Sequence, residues 1–232
     1  MRLADLRKKC SVAVTPLILL WLSVSPARAN QVIFLFNSPS GSLGSSQTYT
    51  VSGLSITATG YRCVGASGGL CANDPNTNYS ADLTNLYDNS DGLGIANNVI
   101  GSEREIPNSE FVQIDFSSVI ANHSVQSIQS IQYKMTDIVT AWSSYGSTTA
   151  GELKGTNGAT LVTNSSSTAT QTITSPAFDL YSFIAGTNCD VVLNEVIINY
   201  TPTTAPEPGY FGLIGISLTA LAIVTKKIRG KR

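Results

Sequence analysis

The stretch "EFVQIDF" (Glu110–Phe116) sets Val112, Ile114 and Phe116 on one side of an extended chain and Phe111, Gln113 and Asp115 on the other. Successive side chains leave opposite faces of a pleat, so this period of two is the mark of a strand. The same rhythm spreads outward in both directions. "SIQYKMTDIV" (130–139) aligns Ile131, Tyr133 and Met135, and "VVLNEVIINY" (191–200) aligns Val192, Val196, Ile198 and Tyr200. Upstream, "QVIFLF" (31–36) is a β-prone run closed by Asn37-Ser38-Pro39-Ser40-Gly41, a loop signal. "TYTVSGLSITATGY" (48–61) reads as one long strand or two short ones, rich in residues that suit a pleat. Between 30 and 200 no amphipathic helical pattern of 12 or more residues is visible. The stretches 71–94 and 161–172 read as polar loops, and 156–175 as strand–turn–strand anchored by Leu161, Val162 and Ile173. Many short strands without βα alternation predict an all-β fold, an antiparallel β-sandwich of jelly-roll-like kind over residues 30–200.

The two ends have a different composition. Arg2, Arg7, Lys8 and Lys9 precede the uncharged stretch Cys10 to Pro26, and Ala27-Arg28-Ala29 follows as a small-x-small pattern. A basic n-region, an apolar h-region and such a site predict a signal peptide over 1–29, cut by signal peptidase between Ala29 and Asn30. At the other end, "TPTTAPEP" (201–208) holds three prolines in eight residues and predicts an extended linker. Gly209 to Thr225 is uncharged. As a helix it would reach about 26 Å, a short but sufficient transmembrane span if flanking lysines snorkel. The basic tail 226–232, with Lys226, Lys227, Arg229, Lys231 and Arg232, would stay cytoplasmic.

With both ends removed, four Lys and Arg remain against thirteen Asp and Glu, so residues 30–205 carry a net charge near −9. A domain of that sign repels nucleic acid. Three cysteines survive cleavage, and in an oxidising compartment Cys63 and Cys71 are the best-spaced pair, bracketing the Gly-rich "VGASGGL". Cys189 is then left over.

Chemistry-bearing residues are sparse. Asp88, Asp91, Glu103 and Glu105 gather around Gly92 and Gly94, and oxygen ligands from loops are what Ca²⁺ takes. The same Asp, Asn and Gly residues are also those that turns select for backbone reasons. Glu103 and Glu105 form a conceivable carboxylate pair for glycoside hydrolysis. His123, the single histidine, lies in a polar "NHS" turn. Among the aromatics, Tyr49, Tyr61, Tyr79, Tyr87, Trp142 and Tyr145 could stack on sugar rings, or Trp142 could plug the core.

The C-terminal elements come in a specific order: Pro206-Glu207-Pro208, a Gly-containing apolar span, then a basic cluster at the terminus. This order resembles the PEP-CTERM sorting signal. The resemblance covers roughly the last 28 residues. It implies a bacterial surface or exported protein, processed at the triplet by the transpeptidase-like enzyme exosortase, in cells that make extracellular polysaccharide. The tail "KKIRGKR" departs from the pattern, broken by Ile228 and Gly230 where an unbroken Arg-rich run is more typical. A second stretch, "DGLGIANNVIGSEREIPNSEFVQIDF" (91–116), is similar to one met in many such surface proteins and implies the same β class without an activity. The expectation is a structural or adhesive protein of the envelope or exopolysaccharide matrix, without catalytic residues or an obligatory cofactor. The alternatives are a calcium-dependent carbohydrate-binding module, a secreted glycoside hydrolase, and a single-pass anchor that is never processed.

Overall fold

The computed structural model describes residues 29–63, 71, 82–96, 104–138, 141–155, 157–187 and 189–203. The expected signal peptide up to Arg28, the membrane span 209–225 and the basic tail 226–232 lie outside these residues. What is described is mostly strand, arranged in two antiparallel sheets. Sheet I contains β1 (Asn30–Leu35), β2 (Gly41–Gly44), β6 (Leu86–Asp88), β7 (Leu93–Ile95), β8 (Ile106–Pro107), β10 (Val125–Thr136), β13 (Gln171–Thr174) and β15 (Asp190–Pro202). Sheet II contains β3 (Ser46–Val51), β4 (Leu54–Arg62), β5 (Asp82–Thr84), β9 (Glu110–Asp115), β11 (Trp142–Ser147), β12 (Ala159–Ser165) and β14 (Leu180–Ala185). The strand order is β13-β10-β15-β7-β6-β2 in sheet I, with β1 and β8 also on β15. In sheet II it is β12-β11-β14-β9-β4-β3, with β5 on β4. One helical turn, Ser117–Ile120, carries the chain from β9 in sheet II to β10 in sheet I.

The alternating runs take their places in these sheets, and their inward residues share one core. Val32, Phe34 and Phe36, then Val112, Ile114 and Phe116, then Ile131, Tyr133 and Met135 all join it, with Trp142 at 0 % exposure among them. The segment 48–61 is two strands, not one. Ser52 and Gly53 both adopt positive φ, 53° and 78°, which is the backbone of a tight hairpin turn matched to strand twist. The 156–175 region supplies two strands as expected, but they are not paired with each other: β12 lies on β11 in sheet II and β13 on β10 in sheet I. The segment 71–94, read as loop, holds β5, β6 and β7. Each has three residues, too short for a period to show.

Strand β15 departs from the simple alternation. Lys134 pairs with Glu195 but Met135 with Leu193, so Asn194 is an extra residue opposite β10. A bulge of this kind reverses which face successive residues present. Accordingly Val191 and Leu193 enter the same core as Val196 and Ile198. Val192, although buried, is not part of that cluster, which corrects the expected grouping of Val192 with Val196. β15 also runs through Thr201 and Pro202, two residues into the expected linker, with Pro202 opposite Val125.

The two glycines of "DGLG" are explained by backbone crowding. Gly92 has φ +147° and sits against the Leu193 carbonyl, and a Cβ on Gly94 would overlap the carbonyl of Arg104. Both let β7 lie close to its neighbours. Gly94→Ala should therefore destabilise the domain by about 1–3 kcal/mol and lower Tm by several degrees. A melt identical to that of the parent protein would show that the neighbouring chain yields without strain.

Candidate functional site

The β6–β7 turn is where the sequence placed most of its oxygen ligands. Asp88 ends β6 with its side chain turned inward, at 0 % exposure. The Tyr49 hydroxyl, from the other sheet, donates to Asp88 Oδ2 at 3.3 Å, and Oδ1 finds no hydrogen-bond partner. Asn89 Oδ1 accepts from the backbone N–H groups of Asp91 and Gly92, at 2.8 and 2.9 Å. That is the Asx geometry for which turns select Asn. Asp91 itself is exposed, and its carbonyl accepts from Asn194 Nδ2 at 2.9 Å. Glu105 is buried just before β8 and held by interactions within the fold, while Glu103 lies outside the described residues. Asp88 and Asp91 thus point different ways. Among the described residues no group of three or more His, Cys, Asp or Glu side chains is placed to hold a metal ion.

Burial raises the Asp88 carboxyl to about 6, partly offset by the Tyr49 hydrogen bond. The Tyr49 hydroxyl is driven up by the same burial and by the neighbouring carboxylate. A carboxyl that holds its proton more tightly folded than unfolded adds stability fully below the ordinary carboxylate range. That contribution is lost as pH rises through about 6. Asp88→Asn keeps a neutral group of the same shape. It should remove a loss on the order of 1–3 kcal/mol between pH 4 and pH 7, measured as Tm against pH. An unchanged pH profile would mean that Asp88 does not titrate in that window.

The aromatic candidates are mostly withdrawn from solvent. Trp142 is fully buried and its Nε1–H donates to the Ser167 carbonyl at 3.1 Å. Tyr145 and Tyr49 are 3 % and 7 % exposed. The reading of Trp142 as a core plug therefore holds, and neither Trp142 nor Tyr145 lies in an exposed loop. Tyr61 stacks on Phe111 at 5.2 Å between ring centres, and Tyr87 lies under the Arg104 guanidinium at 4.1 Å. Tyr79 falls outside the described residues. His123 is exposed in a turn, where its carbonyl accepts from the Thr203 hydroxyl.

Sequence reasoning missed that sheet II is covered on its second face as well. The segment around Leu153 lies over Phe111, Tyr145, Ile184 and the Cys63–Cys71 bridge, forming a second apolar cluster. Gln113 is the polar pin beneath it. Its Nε2 donates to the Glu152 carbonyl and to Ser182 Oγ, and its Oε1 accepts from the Gly151 N–H, all within 2.9–3.0 Å. Polar residues on both faces of β11 and β14 hid this burial from a pattern argument, because their hydrogen bonds form only in the folded chain.

Cys63 and Cys71 are bridged, with Cα atoms 5.6 Å apart. Their N–H groups donate to Ser109 and Asn108 in the β8–β9 turn, both at 3.0 Å. Beside them Arg62 Nε donates to the buried Glu110 carboxylate at 2.8 Å, with Thr84 on the same oxygen. Cys189 is buried and accepts from the Ala141 N–H. Replacing Cys63 and Cys71 together by Ser should lower stability by about 2–3 kcal/mol, read as a shift in denaturant midpoint. No shift would mean that the loop they close does not constrain the unfolded chain.

One open groove of 260 Å³ lies beside the first half of β10, between Ile120, Val125, Ile128 and Phe178. Its walls mix apolar side chains with polar groups, and the latter, Gln126, Ser127 and Asp179, make no acid–base pair with a nucleophile. The candidate processing motif Pro206-Glu207-Pro208 and Ala27 of the candidate leader site lie outside the described residues, whereas Ala29 and Asn30 open the described fold. Among the described residues no helix is long and apolar enough to cross a membrane. No family model matches the chain, and neither a curated protein nor a solved structure matches it.

Proposed function

We propose that this chain is an exported bacterial surface protein. In this reading a leader is removed after Ala29, a C-terminal apolar segment holds the chain in the membrane, and exosortase processes it near Pro206–Pro208. The observation that carries the reading is the order of elements at the C-terminus, triplet, apolar span and basic cluster, matched by a basic-then-apolar leader at the other end.

Three features of the fold support it. The compact unit runs from Ala29 to Thr203, the interval left when both terminal signals are taken away. Asn30 and Tyr200 are opposite one another in the β1–β15 pair, so the chain enters and leaves the domain side by side. The Cys63–Cys71 bridge suits an oxidising compartment.

We further propose that the two sheets are the layers of a jelly-roll-like sandwich whose role is structural or adhesive, at the envelope or in an exopolysaccharide matrix. The different directions taken by Asp88 and Asp91 and the burial of Trp142 and Tyr145 favour a scaffold over a hydrolase or an aromatic sugar platform. Intact mass and terminal sequencing of the protein from its native host test the sorting. The expected species begins at Asn30 and ends near Pro206–Pro208. A species that still carries Lys226–Arg232 would overturn the processing step and leave a single-pass anchor.

A further inference from the structure

From Ala29 through Tyr61 the chain contains no Asp, Glu, Lys, Arg or His. This stretch supplies β1, β2, β3 and nearly all of β4. β2 and β3 end the strand paths of their sheets, and among the described residues β1 pairs only with β15. Contacts of β3 with both β1 and β2 bring these boundary strands to one flank. A domain of net charge near −9 thus has one flank whose boundary strands carry no charge of their own and, among the described residues, have an open edge; the charge facing β1 is Glu195, opposite Leu35 on β15.

Open edges are ordinarily blunted by shortness, charge, proline or a bulge. β2 and β13 have four residues each, and β2 is further interrupted by a register shift. β3 presents a hydroxyl ladder to its partner, Ser46 with Thr59, Thr48 with Thr57 and Thr50 with Ser55. β1 has none of these protections. Its register runs unbroken from Asn30 to Leu35, without proline. On its outward side Ile33 and Leu35 are 41 % and 49 % exposed, with half-buried Ile197 opposite Ile33.

We infer that the β1 edge pairs antiparallel with β1 of a second copy, about a two-fold axis near Ile33. The charge distribution selects this occupant. Two acidic copies repel across most of their surfaces, and the uncharged strands of this flank are where they can approach at least cost. An identical edge is complementary by symmetry: Ile33 meets Ile33, Gln31 meets Leu35, and the contact closes on itself. Such pairing would let an envelope or matrix protein join copies through continuous sheet, and it does not depend on how the termini are processed.

Residues facing one another across an antiparallel pair have Cβ atoms about 4.5–5.5 Å apart, close enough to be trapped as a disulfide with small adjustment. The test uses the full chain in mild detergent in a Cys10→Ser background, with Ile33→Cys added and mild oxidation applied. The disulfide dimer should become the main species. Thr172→Cys, exposed on β13, should stay monomeric, and Leu35→Lys added to Ile33→Cys should abolish the dimer. Both altered β1 side chains are exposed, so the melts of these variants should match the parent. A monomeric Ile33→Cys protein, equal cross-linking through Thr172→Cys, or a dimer that survives Leu35→Lys with an unchanged melt would each overturn the inference.

Discussion

Strand β15 is paired along both edges, and the placement of the other elements follows from that. Ile198 has Val32 on one side and Ile131 on the other, so the first and last strands of the domain lie in the same ladder. Where β1 stops, the β15 backbone continues to be used. Phe36 donates to the Asn194 carbonyl, Leu193 pairs with Leu93, and Val191 pairs with Ile106. One long strand satisfies the backbone groups of four others, which is how three- and two-residue strands persist at all. The bulge at Asn194 is part of this arrangement. It turns Val191 and Leu193 toward the same core as Val196 and Ile198, and it frees the Asn194 amide to hold the β6–β7 turn through the Asp91 carbonyl.

Sheet II solves a different problem. Its central strands are buried on both faces, yet they carry Ser, Gln and Glu. Each such group has to be hydrogen-bonded, because an unpaired buried donor or acceptor costs more than the bond contributes. Gln113 does this by reaching the backbone at Gly151 and Glu152, Ser144 by its contact with the Tyr133 hydroxyl at 2.6 Å, and Glu110 through Arg62 and Thr84. The Gln113 bonds tie the covering segment to the sheet more specifically than apolar contact alone. Asp88, on β6 of sheet I, contrasts with these groups: one of its oxygens has no hydrogen-bond partner, and burial raises its proton affinity.

Charge follows a separate logic from packing. The N-terminal strands carry none, and the acidic residues are confined to the rest of the domain. Since exposed charges repel over about 8–10 Å at moderate salt, approach between copies is governed by where charge is missing. The absence of charge on the N-terminal strands and the pairing of Asn30 with Tyr200 meet at β1.

The sequence by itself determined the class of fold and the inward residues of the longer strands. Val112, Ile114 and Phe116, or Ile131, Tyr133 and Met135, alternate over enough positions for the period of two to stand out, and burial on one face is a local consequence of that period. It also carries the basic and apolar composition of the two ends, on which the proposed sorting rests. Tertiary structure alone decided the rest. Whether Val192 shares a face with Val196 depended on a bulge, which exists only against β10. That 86–88 and 93–95 are strands depended on partners supplied from elsewhere in the chain. Asp88 looked like a metal ligand in sequence, but its direction was set by Tyr49 in the opposite sheet, a residue 39 positions away. Short strands, buried polar groups and the inward or outward aim of a turn carboxylate are fixed by non-local partners, and a local pattern holds no record of them.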